Sequence, residues 1–211
     1  MKTTLKLLII FILMTSCFKI QMMPKRLPDD GTSSLTEPDK FFIHEFGSYN
    51  HKNKFDGKSY HYEQLNTSNF KQLSKASKYT WYIMFAPWCP HSSAILNMNS
   101  KTLSTDLSNK HSLKTYAVSM TYDLKNNQKM LLEAKYPDNI YILDSREFGT
   151  KENQKAYKLA TTLFYNLYEW SNGTPQSFVV DSNLNLVLFK RGDLTNLDTV
   201  LKYIKLYESN K

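Results

Sequence analysis

Cysteine is almost absent from this chain. Cys17 and Cys89 are the only two among 211 residues, too few for a disulfide-stapled scaffold or a multi-cysteine zinc site. No basic helix and no glycine-rich aromatic motif gathers the scattered lysines, so the formal charge of +8 describes a solvated cationic surface and not a nucleic-acid partner. No carboxylate or cysteine is spaced to join His44, His51 or His61, and none of the three is read as a metal ligand. Internal repeats and low-complexity runs are missing as well. Nothing in the chain asks for a cofactor. Leu7 to Met14 is unbroken apolar, yet falls well short of the roughly 20 residues that span a bilayer.

What is present at the N-terminus reads as an export signal. Met1 to Lys6 is cationic, Leu7 to Met14 is the apolar segment behind it, and Met14-Thr15-Ser16-Cys17 follows. That tetrapeptide resembles the lipobox of bacterial lipoproteins, with Met14 where leucine is usual. The resemblance implies removal of residues 1–16 and lipidation of Cys17, which would tie the protein to a membrane of the cell envelope. The plainer alternative is an ordinary signal peptide with Cys17 incidental. Residues 17–40 carry Pro24, Pro28, Gly31, Ser33, Ser34 and Pro38, a composition that buries too little apolar surface to order itself and reads as a tether. Residues 41–59 form an extension in which Phe41 to Phe46 is a short apolar cluster suited to a strand at a domain edge. Residues 60–211 form one domain, since 41% hydrophobic and 14% aromatic content supports one core. Asn66-Thr-Ser and Asn172-Gly-Thr are formal glycosylation sequons, attributed to chance in an asparagine-rich chain.

Within the domain, apolar periodicity sets out the elements. Thr67 to Ser74 opens with capping residues and reads as a short helix. Lys78 to Phe85 is a buried strand. The run after Cys89, to about Leu107, has Ile95, Met98 and Leu103 at helical spacing. Leu113 to Met120 is a strand, Leu124 to Tyr136 a helix ending before Pro137, Asn139 to Leu143 a strand, and Lys151 to Glu169 a helix. A turn and proline at Gly173-Thr174-Pro175 lead into a strand to Asp181. Ser182-Asn183 turns it back into Leu184 to Phe189, so these two strands are antiparallel, and Leu194 to Leu206 is the closing helix. From Lys78 onward the order is β, α, β, α, β, α, β, β, α. It predicts an α/β fold with a mixed central sheet and helices on both faces.

The chemistry concentrates at Trp88-Cys89-Pro90-His91-Ser92. The strand breaks at Pro87 and delivers Cys89 to the first turn of a helix, where unpaired N–H groups and the positive end of the helix dipole favour thiolate. Pro90 suits a helix start. His91, when protonated, adds positive charge beside the sulfur. This pentapeptide after an apolar strand, with Gly173-Thr174-Pro175 before a hairpin, is similar to the thioredoxin superfamily over about Tyr60 to the C-terminus. The resemblance implies a three-layer sandwich in which Pro175 is cis and faces the cysteine. Cys89 would act with His91 and Ser92 tuning it, and Trp88, Pro90, Thr174 and Pro175 would shape the client groove.

The departure from that family is Ser92, where the resolving cysteine belongs. A dithiol cycle is excluded, because one thiol must attack a disulfide and a second must release the product. What remains is monothiol exchange or isomerisation: mixed disulfides with client thiols and disulfides, resolved by an external thiol donor. The alternative is a redox-inactive thioredoxin-fold module holding a peptide or an envelope partner. Ala86 stands where one-cysteine peroxidases usually carry threonine, and a lone cysteine does not suit copper delivery.

Overall fold

A computed structural model describes residues 42–48, 59–100, 112–137, 140–149, 152–164, 174–192 and 194–211. The lipobox, Cys17, the tether, His51 and Gly173 lie outside the described residues. In chain order the elements are β1 (Ile43–His44), β2 (Tyr62–Leu65), α1 (Thr67–Lys75), β3 (Tyr79–Phe85), α2 (Pro90–Ser100), β4 (Leu113–Ser119) and α3 (Leu124–Glu133). They continue as β5 (Ile140–Leu143), α4 (Ser145–Phe148), α5 (Glu152–Phe164), β6 (Gln176–Asp181), β7 (Leu186–Arg191) and α6 (Leu197–Ser209).

The strands form one sheet in the order β1-β2-β5-β4-β3-β6-β7. The run from β1 to β3 is parallel, whereas β6 pairs antiparallel with both β3 and β7. Strand β3 shows why the fold has three layers. Every residue of Tyr79–Phe85 is buried, and successive side chains point to opposite faces. Trp81, Ile83 and Phe85 pack with Ile95 of α2, Leu131 of α3 and Val200 of α6. Tyr82 and Met84 pack on the other face with Phe70 of α1, Leu159 of α5 and Phe178 of β6. Each fully buried side chain of this kind contributes roughly 1.5–3 kcal/mol. The expected α/β sandwich, with a mixed sheet and helices on both faces, is therefore what the chain adopts.

Several details differ from the sequence reading, among them the short helix α4, which has no counterpart in it. Strand β2 was not anticipated, because Tyr-Glu-Gln-Leu offers no alternation, yet all four residues are buried. Tertiary partners absorb its polarity: Gly47 N–H donates to Glu63 Oε1 at 3.2 Å, and Gln64 Nε2 donates to the Tyr122 hydroxyl at 3.2 Å. Strand β7 begins at Leu186 rather than Leu184. Asp181 explains the longer turn, since one carboxylate oxygen accepts from the backbone N–H groups of both Asn183 and Asn185 at 2.9 Å, and Leu184 takes a positive φ of 67°.

Asp181 also ties down the C-terminus. Its other oxygen accepts from Tyr207 Oη at 2.9 Å and Lys211 Nζ at 3.1 Å. Burial alone would raise its pKa, but the hydrogen bonds from Asn185, Lys211 and Tyr207 outweigh it and hold the carboxyl at about 2, below the ordinary 3.8. A depressed folded value means stability that is complete above pH 3.8 and lost as pH falls through about 2. Asp181→Asn should therefore lower unfolding free energy at pH 7 by about 1.5–3 kcal/mol, the scale of hydrogen bonds to a charged group. In urea titrations the gap from wild type should close as the pH falls toward 2.

Candidate functional site

Strand β3 ends at Phe85, and Ala86, Pro87 and Trp88 turn the chain. Cys89 N–H donates to Ala86 O at 3.1 Å, and Ser92 N–H donates to Cys89 O at 2.9 Å. Cys89 thus occupies the position just before α2, which opens with Pro90 and carries no acidic residue in its first turn. Nothing in that turn offsets the positive end of the helix beside the sulfur. The thiol is half-buried and not in a disulfide.

The wall opposite is supplied by a loop far away in the chain. Cys89 Sγ donates to Thr174 O at 3.0 Å, a contact that only a protonated sulfur makes. The Thr174–Pro175 peptide is cis, and Pro175 is buried while Thr174 is half-buried. A second bridge runs beside the first. His91, exposed, places Nδ1 3.1 Å from Gly192 O, and Gly192 N–H donates to Pro175 O at 2.8 Å. If Nδ1 is the protonated nitrogen, Nε2 is left as the basic one. Trp88 lies at the rim, half-buried.

Ser92 has a role that the spacing did not reveal. It is completely buried, and its Oγ accepts from Ala86 N–H at 3.2 Å. Ala86 is itself buried, so the hydroxyl satisfies a backbone donor that would otherwise be stranded. Among the described contacts, no side-chain bond joins Ser92 to Cys89.

Gly192 is the participant that sequence reasoning missed. Its φ of +72° lies in the left-handed region, where glycine is the natural occupant. The available signal was a glycine directly after the last strand. Lys155 was missed too: it is fully buried on α5, donates to Met120 O at 3.0 Å and sits 4.8 Å from the Tyr122 ring centroid. That contact grips the residue just past β4, and Met120 N–H in turn donates to Phe85 O at 3.0 Å. Among the described residues, no group of three or more histidine, cysteine, aspartate or glutamate side chains could hold a metal ion. None of the described helices is long and apolar enough to cross a membrane.

The mixed sheet with helices on both faces is an α/β sandwich of the thioredoxin-like fold, with a thiol at a helix terminus. No protein-family model matches the chain, and neither does any curated protein sequence. Solved structures do match. A thiol:disulfide interchange protein of the thioredoxin family from Chlorobium tepidum is 16% identical with a TM-score of 0.43, over 64% of this chain and 81% of that one. The thioredoxin domain of a thiol-disulfide oxidoreductase from Bacteroides vulgatus is 19% identical with a TM-score of 0.44, over 66% and 85%. A secreted disulfide oxidoreductase from Mycobacterium tuberculosis is 11% identical with a TM-score of 0.40, over 61% and 81%. Likeness at this level says nothing of chemistry.

Proposed function

We propose that the chain is an envelope-anchored monothiol disulfide-exchange protein. The observation that carries this reading is the Cys89 sulfur, half-buried at a helix N-terminus and 3.0 Å from Thr174 O. That arrangement offers a nucleophile on one side and a backbone wall on the other. In this reading residues 60–211 are the catalytic domain, 41–59 an extension, 17–40 the lipidated N-terminus and tether, and 1–16 a signal removed on export.

The reaction balances with one thiol on the protein. The Cys89 thiolate attacks one sulfur of a client disulfide, the client S–S bond breaks, and the second client sulfur leaves as thiolate. A client cysteine or an external thiol donor then attacks the mixed disulfide and frees Cys89. When the client's own cysteine attacks, the net result is isomerisation with no electrons gained or lost. When an external dithiol resolves it, the donor is oxidised and the client reduced. His91 Nε2, the basic nitrogen, is suited to take the proton that the Cys89 thiol gives up and, once protonated, to hand it to the departing client sulfur. Trp88, Pro90, Thr174 and Pro175 form the groove. The test is incubation with a disulfide-linked peptide, followed by intact mass under non-reducing conditions. The expected product is one peptide chain per protein, released by added thiol, and the absence of any adduct would overturn the reading.

A second reading draws on the same contact. Because Sγ–H donates to Thr174 O, Cys89 is also a structural member of the groove wall, as a redox-inactive binding module would use it.

A further inference from the structure

The segment from Phe42 to Ser48 lies along the outer edge of the sheet, where β1 adds only Ile43 and His44 beside Tyr62 and Glu63 of β2. Such a short pairing holds little by itself, and side chains make up the attachment. His44 Nε2 lies 2.7 Å from His61 Nδ1, and the two rings stack with centroids 5.0 Å apart. Phe42 packs against the His61 ring at 5.4 Å, and Phe46 against Tyr141 at 6.3 Å. Glu45 pairs with Arg146 Nη2 at 3.1 Å, and Gly47 N–H donates to Glu63 Oε1.

We propose that the His44–His61 pair is an acid-sensitive latch that holds residues 42–48 on the sheet near neutral pH and releases them on acidification. At 2.7 Å the two facing nitrogens have room for one hydrogen between them. A neutral pair satisfies this, with one ring donating and the other accepting. A singly protonated pair also satisfies it, with the cationic ring as donor to the neutral one. A doubly protonated pair does not, because both facing nitrogens then carry hydrogen and two like charges stack face to face. The docked pair therefore holds at most one added proton where the released pair takes two, so docking is lost as pH falls below the range near 6.5 where free imidazoles titrate.

The charged groups around the pair, among the described residues, are Glu63 beside His44 on β2, Glu45 next to it in the segment, and Arg146 with its partner Asp144 at 2.7 Å. The two glutamates favour the first proton on the pair. The segment is also where the preceding chain meets the domain. Seven residues set free reach at most about 25 Å further, and the latch lies at the opposite end of the parallel run from β3 and Cys89. Acid would extend the connection without touching the thiol.

The test is hydrogen exchange of the full chain by mass spectrometry between pH 7.5 and 4.5, corrected for the pH dependence of intrinsic exchange. Protection of peptides covering residues 42–48 should fall at least tenfold between pH 7 and 5, while peptides covering β3 stay protected. In His61→Phe, which keeps a ring for Phe42 and His44 to pack on, that fall should disappear from this window. A flat wild-type profile, or the same fall in His61→Phe, would overturn the latch. If His61→Phe frees the segment at every pH, His44→Gln decides the matter, because an amide turns to present either a donor or an acceptor. Its segment must stay protected at pH 5, and loss there sinks the proposal.

Discussion

Cys89→Ser should abolish capture of a disulfide client, with the mixed-disulfide yield falling at least a hundredfold to the background of the assay. A hydroxyl has almost no nucleophilicity toward a disulfide sulfur near neutral pH, and no other cysteine lies in residues 60–211. The fold should be nearly untouched. Serine Oγ–H can donate to Thr174 O much as Sγ–H does at 3.0 Å, so the change in unfolding free energy should stay within about 1 kcal/mol. Measuring capture by non-reducing mass spectrometry and stability by urea titration separates loss of chemistry from loss of structure. The same variant decides between the two functional readings. A binding module keeps its partner non-covalently with an affinity within a few-fold of wild type. Retained binding with no adduct in either form would reject disulfide exchange in favour of the module.

Ser92→Cys should have the second-largest effect, in the opposite sense. It places a second thiol three residues on, where helical side chains are neighbours at about 5–6 Å between Cβ atoms. A disulfide needs about 3.5–4.5 Å, so the first turn of α2 must tighten slightly. Once a client is captured, the introduced thiolate attacks the Cys89 sulfur, an intramolecular disulfide forms, and the client leaves as a thiolate. The client disulfide has then been reduced by two electrons and the protein oxidised by two. The steady-state mixed disulfide should drop at least tenfold against wild type, and the protein should lose two hydrogens in mass. Persistence of the adduct at the wild-type level would mean that this position cannot reach the sulfur. The substitution also exchanges the Ser92 hydroxyl for a weaker acceptor of the buried Ala86 N–H, at a cost of about 1 kcal/mol. The natural serine therefore serves local structure while withholding the second thiol.

The order of most elements was legible because each is written in adjacent residues. Strand β3 shows itself as Tyr-Thr-Trp-Tyr-Ile-Met-Phe, α1 by the capping residues that open Thr67 to Ser74, and the break before Cys89 by Pro87. Helices α2 and α5 end at Ser100 and Phe164, with the residues that follow outside the described structure. Strand β2 was hidden for a physical reason. Glu63 and Gln64 look solvent-facing until Gly47, Tyr122 and Arg146 arrive as partners, and a strand buried on both faces at polar positions has no pattern of its own.

The sequence by itself determined the one cysteine of residues 60–211 at the start of a helix, a serine three residues on, and a proline loop in front of a hairpin. These depend on residue identity and on neighbours a few positions apart. Only the tertiary structure decided which groups meet. Cys89 and Thr174 are 85 residues apart, and His91 and Gly192 are 101. Both pairs exist because β6 lies antiparallel against β3 and carries the Pro175 loop to the end where Cys89 emerges. His44 and His61, each isolated along the chain, become a stacked pair once β1 joins β2. Local propensity sets how each segment runs, whereas closure of the sheet sets its company, and chemistry between distant side chains depends on the company.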